Sequence, residues 1–201
     1  ELVATNFLRA MTVEMLINRI TLVDSSKTIL VTAASGGVGR LLCQWAAAMG
    51  VKVIGSVGSQ EKIEDTKLNG CIKTLISSDK NFSEKVLDIT NGKGVDIVFD
   101  SVGNDTFESS LSSLAHCGYL INFGQSSGPV HPVLMSTLAE KSLSISRPIL
   151  FHYFGNRKNY ENMAASVFKA FEDEIIKVSE FLPFDLKAVS YTHLTLPTNL
   201  C

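Results

Sequence analysis

A strand pattern that runs without interruption into a glycine-rich turn and then into a helix constrains this chain more than any other feature. In Ile29-Leu30-Val31-Thr32-Ala33-Ala34-Ser35-Gly36-Gly37-Val38-Gly39, the first three residues form the apolar run of a parallel strand covered on both faces. The turn follows at once. Gly36 and Gly37 admit a backbone geometry and a close approach that a side chain would block, and Gly39 lets the next helix pack tightly on the strand. The N–H groups of the first helical turn then face outward, where a pyrophosphate is the natural ligand.

Val38, Leu41, Leu42, Trp45, Ala46 and Met49 recur at helical spacing and make one wide apolar face, with Arg40 and Gln44 off it. Gly50 stops the helix, and Val51-Lys52-Val53-Ile54 reads as a second strand. The whole is a strand-turn-helix-strand unit of about thirty residues, the length a right-handed crossover needs. A βαβ unit with a tight turn and no ligand would share these features, so the rest of the chain decides.

Residues 59–67 are helix-compatible and Asn69-Gly70 ends them; residues 72–76 form a third strand. Asn81 with Glu84 opens another helix, closed by Asn91-Gly92 before a fourth strand, Val95-Asp96-Ile97-Val98-Phe99-Asp100. Asp105 and Glu108 resemble a capping box for a helix ending near residues 116–118. A fifth strand covers residues 119–124 and a sixth residues 143–145, with helical segments near 133–140 and 159–172. Phe7, Leu8, Met11, Met15, Leu16 and Ile20 mark an amphipathic helix leading into the first strand. The predicted fold is α/β: a doubly wound parallel sheet of the Rossmann type, six strands with helices on both faces. Ligands in such sheets sit beyond the carboxyl ends of the strands, which gathers residues 34–39, 56–62, 100–103 and 123–128 at one edge.

With 201 residues, 45% hydrophobic and 19% charged, the chain can bury one full core. A net charge of −2 with scattered basic residues argues against nucleic acid as a partner, and no run of eighteen apolar residues marks a membrane span. Cys43, Cys71, Cys117 and Cys201 form no Cys-x-x-Cys pair; they read as separate reduced thiols of a cytoplasmic protein. His116, His131 and His152 stand alone, so no metal site is expected.

Glu1 opens the chain without a methionine or the zones of a secretory signal, which reads as a cut. Val189-Ser190-Tyr191-Thr192-His193-Leu194 is the translation of GTC TCT TAT ACA CAT CT, which resembles the transposase mosaic end of sequencing adapters. Residues 189–201 are therefore expected to be a read-through scar, with a genuine tail turning at Pro197 as the alternative, and His193 and Cys201 carry no functional claim. The resulting division is a lead-in helix (1–25), a dinucleotide-binding domain (26–150), a C-terminal helical part (151–188) and that tail.

The end of the second strand indicates which dinucleotide fits. An NAD-selective site places an acid there to hold the ribose hydroxyls, but Gly55-Ser56-Val57-Gly58-Ser59 offers none before Glu61, and Lys62 follows. Ser56, Ser59 and Lys62 donate to or attract a 2′-phosphate that a carboxylate would repel, so NADP is favoured. The alternative for Lys62 is a solvated helix charge.

Taken together, Phe7-Leu8-Arg9-Ala10-Met11-Thr12, the turn at 33–39, Cys43-Gln44-Trp45-Ala46, Ile54-Gly55-Ser56-Val57-Gly58, Val98-Phe99-Asp100-Ser101-Val102-Gly103 and Asn122-Phe123-Gly124-Gln125-Ser126-Ser127-Gly128 resemble the zinc-independent quinone oxidoreductases of the medium-chain dehydrogenase/reductase superfamily, the zeta-crystallin group. The resemblance covers residues 7–188. The turn's amides from Ser35 to Gly39 are read as the grip on the pyrophosphate, and the resemblance implies that Gly36, Gly37, Val38 and Gly39 hold it, that Gly58 and Lys62 surround the 2′-phosphate, and that Val102, Phe123, Gly124 and Ser126 line the nicotinamide side, with Thr12 near its ring. Ser77 stands where some relatives carry a tyrosine near the adenosine phosphate, and Ala10 replaces a common glycine. The implied parent is a homodimeric NADPH-dependent reductase passing hydride to a quinone or a related electrophilic alkene or carbonyl. In that group the substrate domain comes from segments outside this chain, so no catalytic residue is assigned and cofactor binding without turnover is expected. A zinc-independent reductase of enoyl thioesters and a non-enzymatic NADPH-binding protein are the alternatives. A short-chain dehydrogenase is disfavoured, because Tyr119, Tyr153 and Tyr160 lack a lysine four residues on.

Overall fold

A computed structural model describes residues 2–177. The chain opens with helix α1 (Leu2–Met15), which runs into a π-helical turn, Leu16–Ile20, and then alternates strand and helix: β1 (Thr28–Val31), α2 (Gly37–Ala48), β2 (Lys52–Val57), a 3-10 turn (Gln60–Lys62), α3 (Ile63–Leu68), β3 (Lys73–Ile76), α4 (Phe82–Ile89), β4 (Val95–Asp100), α5 (Phe107–Ser113), β5 (Leu114–Asn122), α6 (Met135–Ala139), β6 (Ser144–Ser146), α7 (Leu150–Phe154) and α8 (Arg157–Glu172). The six strands pair in parallel in the order β3-β2-β1-β4-β5-β6, the doubly wound arrangement expected.

Burial on both faces explains the unbroken apolar strands. Ile29 and Val31 enter one core with Met11, Leu42, Val53 and Phe99, whereas Leu30 enters the opposite core with Ile54, Val86, Val98 and Leu111. Each such side chain contributes about 1.5–3 kcal/mol on burial. α8 adds Met163, Val167 and Ala170 to the first core, so residues 157–172 share it with α1 and α2.

Several boundaries differ from the sequence reading, each for a tertiary reason. β2 continues three residues past Ile54, because Gly55, Ser56 and Val57 pair with Thr74, Leu75 and Ile76 of β3. The helix expected to end near 116–118 ends at Ser113; Leu114 already pairs with Val95, and the register then shifts so that Tyr119 meets Ile97, with Cys117 at φ +59°. The expected capping boxes do not form: Asn81 makes no side-chain cap, and at α5 the N-cap residue is Thr106. Leu8 is exposed, while Glu14 is buried against Arg19 at 2.9 Å. α7 has no counterpart in the sequence reading. Cys43 and Cys71 are not separate: their sulfurs lie 3.5 Å apart in the core. The hydrogen bond from Cys71, with burial, holds the Cys43 thiol well above the ordinary range, so it stays protonated. The proposed tail, 189–201, lies outside the described residues.

Candidate functional site

The parallel register aligns the carboxyl ends of the central strands: Val31 faces Gly55 on one side and Phe99 on the other, and Phe99 faces Ile121. The four segments picked from the sequence therefore emerge along one edge, beside the switch between β1 and β4.

After β1 the chain is pinned to both neighbours, the Thr32 N–H donating to the Phe99 carbonyl (3.0 Å) and the Ala34 N–H to the Ser56 carbonyl (2.9 Å). Ala33, not a glycine, takes the left-handed conformation here, with φ +46°. This corrects the expectation that Gly36 and Gly37 supply an unusual backbone: Gly36 has φ −72°, and Gly37 is helical. Gly39 is required for space: a Cβ there would lie 2.3 Å from the Ala33 carbonyl oxygen, whereas one on Gly37 would meet only the movable end of Arg9, with Nε at 2.7 Å. α2 begins without a side-chain cap, and its first ladder bond runs from the Arg40 N–H to the Gly36 carbonyl at 2.9 Å. Among the described residues no group accepts from the N–H of Gly37, Val38 or Gly39. Three uncapped donors at the positive end of a helix dipole fit a diphosphate. Ser35 and Val38 are half-buried beside exposed Gly37.

On the β2 side the predicted set divides. Ser56 has no exposed surface, enclosed by its neighbours as a strand residue, and among the described residues its hydroxyl has no hydrogen-bond partner, so it is not presented at the surface of the edge as Gly58 is. Gly58 is exposed with open space around it, Ser59 precedes the 3-10 turn, and Lys62 is half-buried at the end of that turn. Ser77 is held beside them by its N–H, which donates to the Val57 carbonyl at 2.9 Å.

On the β4–β5 side a buried carboxylate organises the loops. Asp100, with no exposed surface, accepts from the hydroxyls of Thr32 (2.9 Å) and Thr106 (2.8 Å), from the Val102 N–H (3.1 Å), from the Gly103 N–H and from Nδ2 of Asn122 (3.0 Å). So many donors compensate a charge that burial would otherwise penalise. Its carbonyl accepts from the Phe123 N–H at 2.8 Å, and Asn122 Nδ2 also donates to the Gly124 carbonyl at 3.0 Å. Loops 101–105 and 123–128 zip together, the Ser126 N–H donating to the Ser101 carbonyl and the Ser127 N–H to that of Val102. Val102, Phe123 and Gly124 are thereby fixed half-buried, with Ser126 exposed. Gly124 is required by proximity: a Cβ would lie 2.6 Å from the Ser101 carbonyl oxygen. Thr12 is half-buried on α1, its hydroxyl donating to the Leu8 carbonyl at 3.0 Å.

Sequence reasoning marked residues 100–103 but missed the Asp100 carboxylate, its partners Thr32, Thr106 and Asn122, and Arg9. An acid closing an apolar strand was the available signal for Asp100. Among the described residues, no three His, Cys, Asp or Glu side chains are placed to hold a metal, and no helix is long and apolar enough to cross a membrane.

A family model described as zinc-binding dehydrogenase matches residues 37–169, from the uncapped helix start into α8. The chain belongs to that family. It is 37% identical over 197 residues to a quinone oxidoreductase of Pseudomonas aeruginosa, covering 98% of this chain and 61% of that protein. It is 35% identical to a 2-haloacrylate reductase of a Burkholderia species, covering 92% of this chain and 56% of that one. The crystal structure of Escherichia coli quinone oxidoreductase complexed with NADPH superposes with a TM-score of 0.84 at 36% identity, over 89% of this chain and 55% of that one. The resemblance to quinone oxidoreductases of the medium-chain superfamily is thus borne out. The chain spans about three-fifths of the length of such relatives, 61% in the Pseudomonas protein.

Proposed function

We propose that this chain is the cofactor-binding portion of an NADPH-dependent oxidoreductase that passes hydride to a quinone or a related electrophilic alkene or carbonyl. The observation that carries the reading is the uncapped start of α2, three amides without an acceptor among the described residues at the carboxyl edge of the sheet, in a chain 36% identical to a quinone oxidoreductase complexed with NADPH. NADPH supplies the hydride; the chain binds and orients it. The amides of Gly37, Val38 and Gly39 take the diphosphate. Gly58, Ser59, Lys62 and Ser77 flank the 2′-phosphate, and Thr12, Val102, Phe123, Gly124 and Ser126 bound the nicotinamide, the last four steadied by Asp100 and the contact between their two loops. Hydride transfer without zinc, as the resemblance implies, belongs to the same proposal. A homodimeric parent in the cytoplasm completes the reading.

The 35% identity to a 2-haloacrylate reductase favours a second acceptor class, activated alkenes, to which enoyl thioesters also belong. Calorimetry with NADPH tests binding by the chain itself. NADPH oxidation by the parent protein with a panel of quinones, haloacrylates and enones separates the acceptors, and tight binding without any turnover would favour a non-enzymatic role.

A further inference from the structure

We infer that Arg9 is the cationic clamp of the diphosphate subsite, a role that rests on the NADPH reading above. Its side chain lies across Gly37: a Cβ built there would meet Nε at 2.7 Å, Cζ at 2.8 Å and Cδ at 3.0 Å. The exposed guanidinium therefore stands over Gly37, the first residue of α2, at the helix end that carries the uncapped amides of Gly37, Val38 and Gly39. Without an anion this placement is unfavourable, since a cation at a helix N-terminus faces charge of its own sign.

Among the described residues no acid relieves it. Arg9 makes no hydrogen bond or ion pair among the described residues, and Glu14, the acid of α1, is buried against Arg19 at 2.9 Å. The glycine at 37 gives the arginine stem a flat floor, so the missing side chain serves Arg9 as well as the ligand. A diphosphate placed there is attracted by the amides, the dipole and the guanidinium at once, which outweighs their mutual repulsion. The planar fork of arginine suits two phosphate oxygens at once, which the point charge of lysine does not match.

The test measures affinities of the 201-residue chain for NADPH, NADH and adenosine 2′-monophosphate by calorimetry, for wild type, Arg9→Met, Arg9→Lys and Arg157→Met, a remote exposed cation removed as a charge control. Arg9→Met should weaken NADPH and NADH alike by about ten- to a hundred-fold, leave adenosine 2′-monophosphate within about twofold, and be partly rescued by Arg9→Lys, with Arg157→Met neutral. Unchanged dinucleotide affinity in a folded Arg9→Met chain overturns the inference and leaves the proposed function standing. Weakening confined to NADPH also overturns it, because Arg9 would then read the 2′-phosphate. A wild-type chain that binds neither dinucleotide sinks the NADPH reading, and the clamp with it.

Discussion

The hydroxyl of Thr32, one residue past β1, donates to the buried carboxylate of Asp100 at the end of β4 at 2.9 Å, and the same oxygen accepts from the Ser101 N–H at 2.9 Å. This pair welds the two strands that flank the switch point and holds the loop behind them. Asp100→Asn puts an amide nitrogen in front of donors that need an acceptor, which costs about 2 kcal/mol or more. The melting temperature should fall by about 4–8 °C, and NADPH affinity should fall with it as loops 101–105 and 123–128 loosen. A calorimetric melt and a binding titration check both; an unchanged melt would mean the network is ornamental.

Two glycines of the site should respond unequally to alanine. A Cβ on Gly39 meets the Ala33 carbonyl oxygen at 2.3 Å, so Gly39→Ala must open the turn, a strain of about 1–3 kcal/mol. Gly58 has nothing within 4 Å of its would-be Cβ, and Gly58→Ala should leave stability within about 0.5 kcal/mol. Denaturant melts of the two variants read the contrast directly.

Selectivity should turn on Lys62. Lys62→Glu places a negative charge where the 2′-phosphate is proposed to lie, and the NADPH-to-NADH affinity ratio should drop by about tenfold or more. A constant ratio in parallel titrations would return Lys62 to the status of a surface charge.

Asp96 ties the start of β1 to β4, accepting from the Thr28 N–H at 2.8 Å and from Lys93 at 3.0 Å. Burial pushes its carboxyl up, but the Thr28 amide and the charges of Lys93 and Lys27 outweigh burial and hold it below the usual range. The folded value lies below the unfolded one of about 3.9, so the stabilisation is complete above about pH 4 and is lost as the pH falls through the folded value. The stability gap between wild type and Asp96→Asn should be flat from about pH 7 to 5 and close below about pH 4 in urea melts. A gap that persists undiminished at about pH 2 would assign it to packing.

Thiol chemistry should follow burial. Cys117 is exposed, whereas Cys43 and Cys71 are buried together, Cys43 held protonated. Under native conditions iodoacetamide should alkylate Cys117 well before either core thiol, as mass spectrometry of timed digests would record.

Much of the architecture was legible along the chain because its signals are local. Ile29-Leu30-Val31 could be read as a doubly covered strand, and Gly50, Gly70 and Gly92 as stops, from preferences that act within a few residues; those three glycines do sit at φ +78°, +93° and +82°. Strand ends were less legible: β2 runs on to Val57 because β3 offers a partner there, and β5 starts at Leu114 because Val95 does.

The amino-acid order by itself determined the alternation of strand and helix, the glycine turn at the carboxyl edge and the family, since backbone sterics and apolar periodicity are properties of short windows. Only the tertiary structure decided that Ser56 is enclosed, that Cys43 meets Cys71, that Asp100 gathers Thr32 from 68 residues away, and that Arg9 lies over Gly37. Those contacts depend on strand register and on how α1 seats against α2. Both are set by the packing of the whole core, which no local window contains.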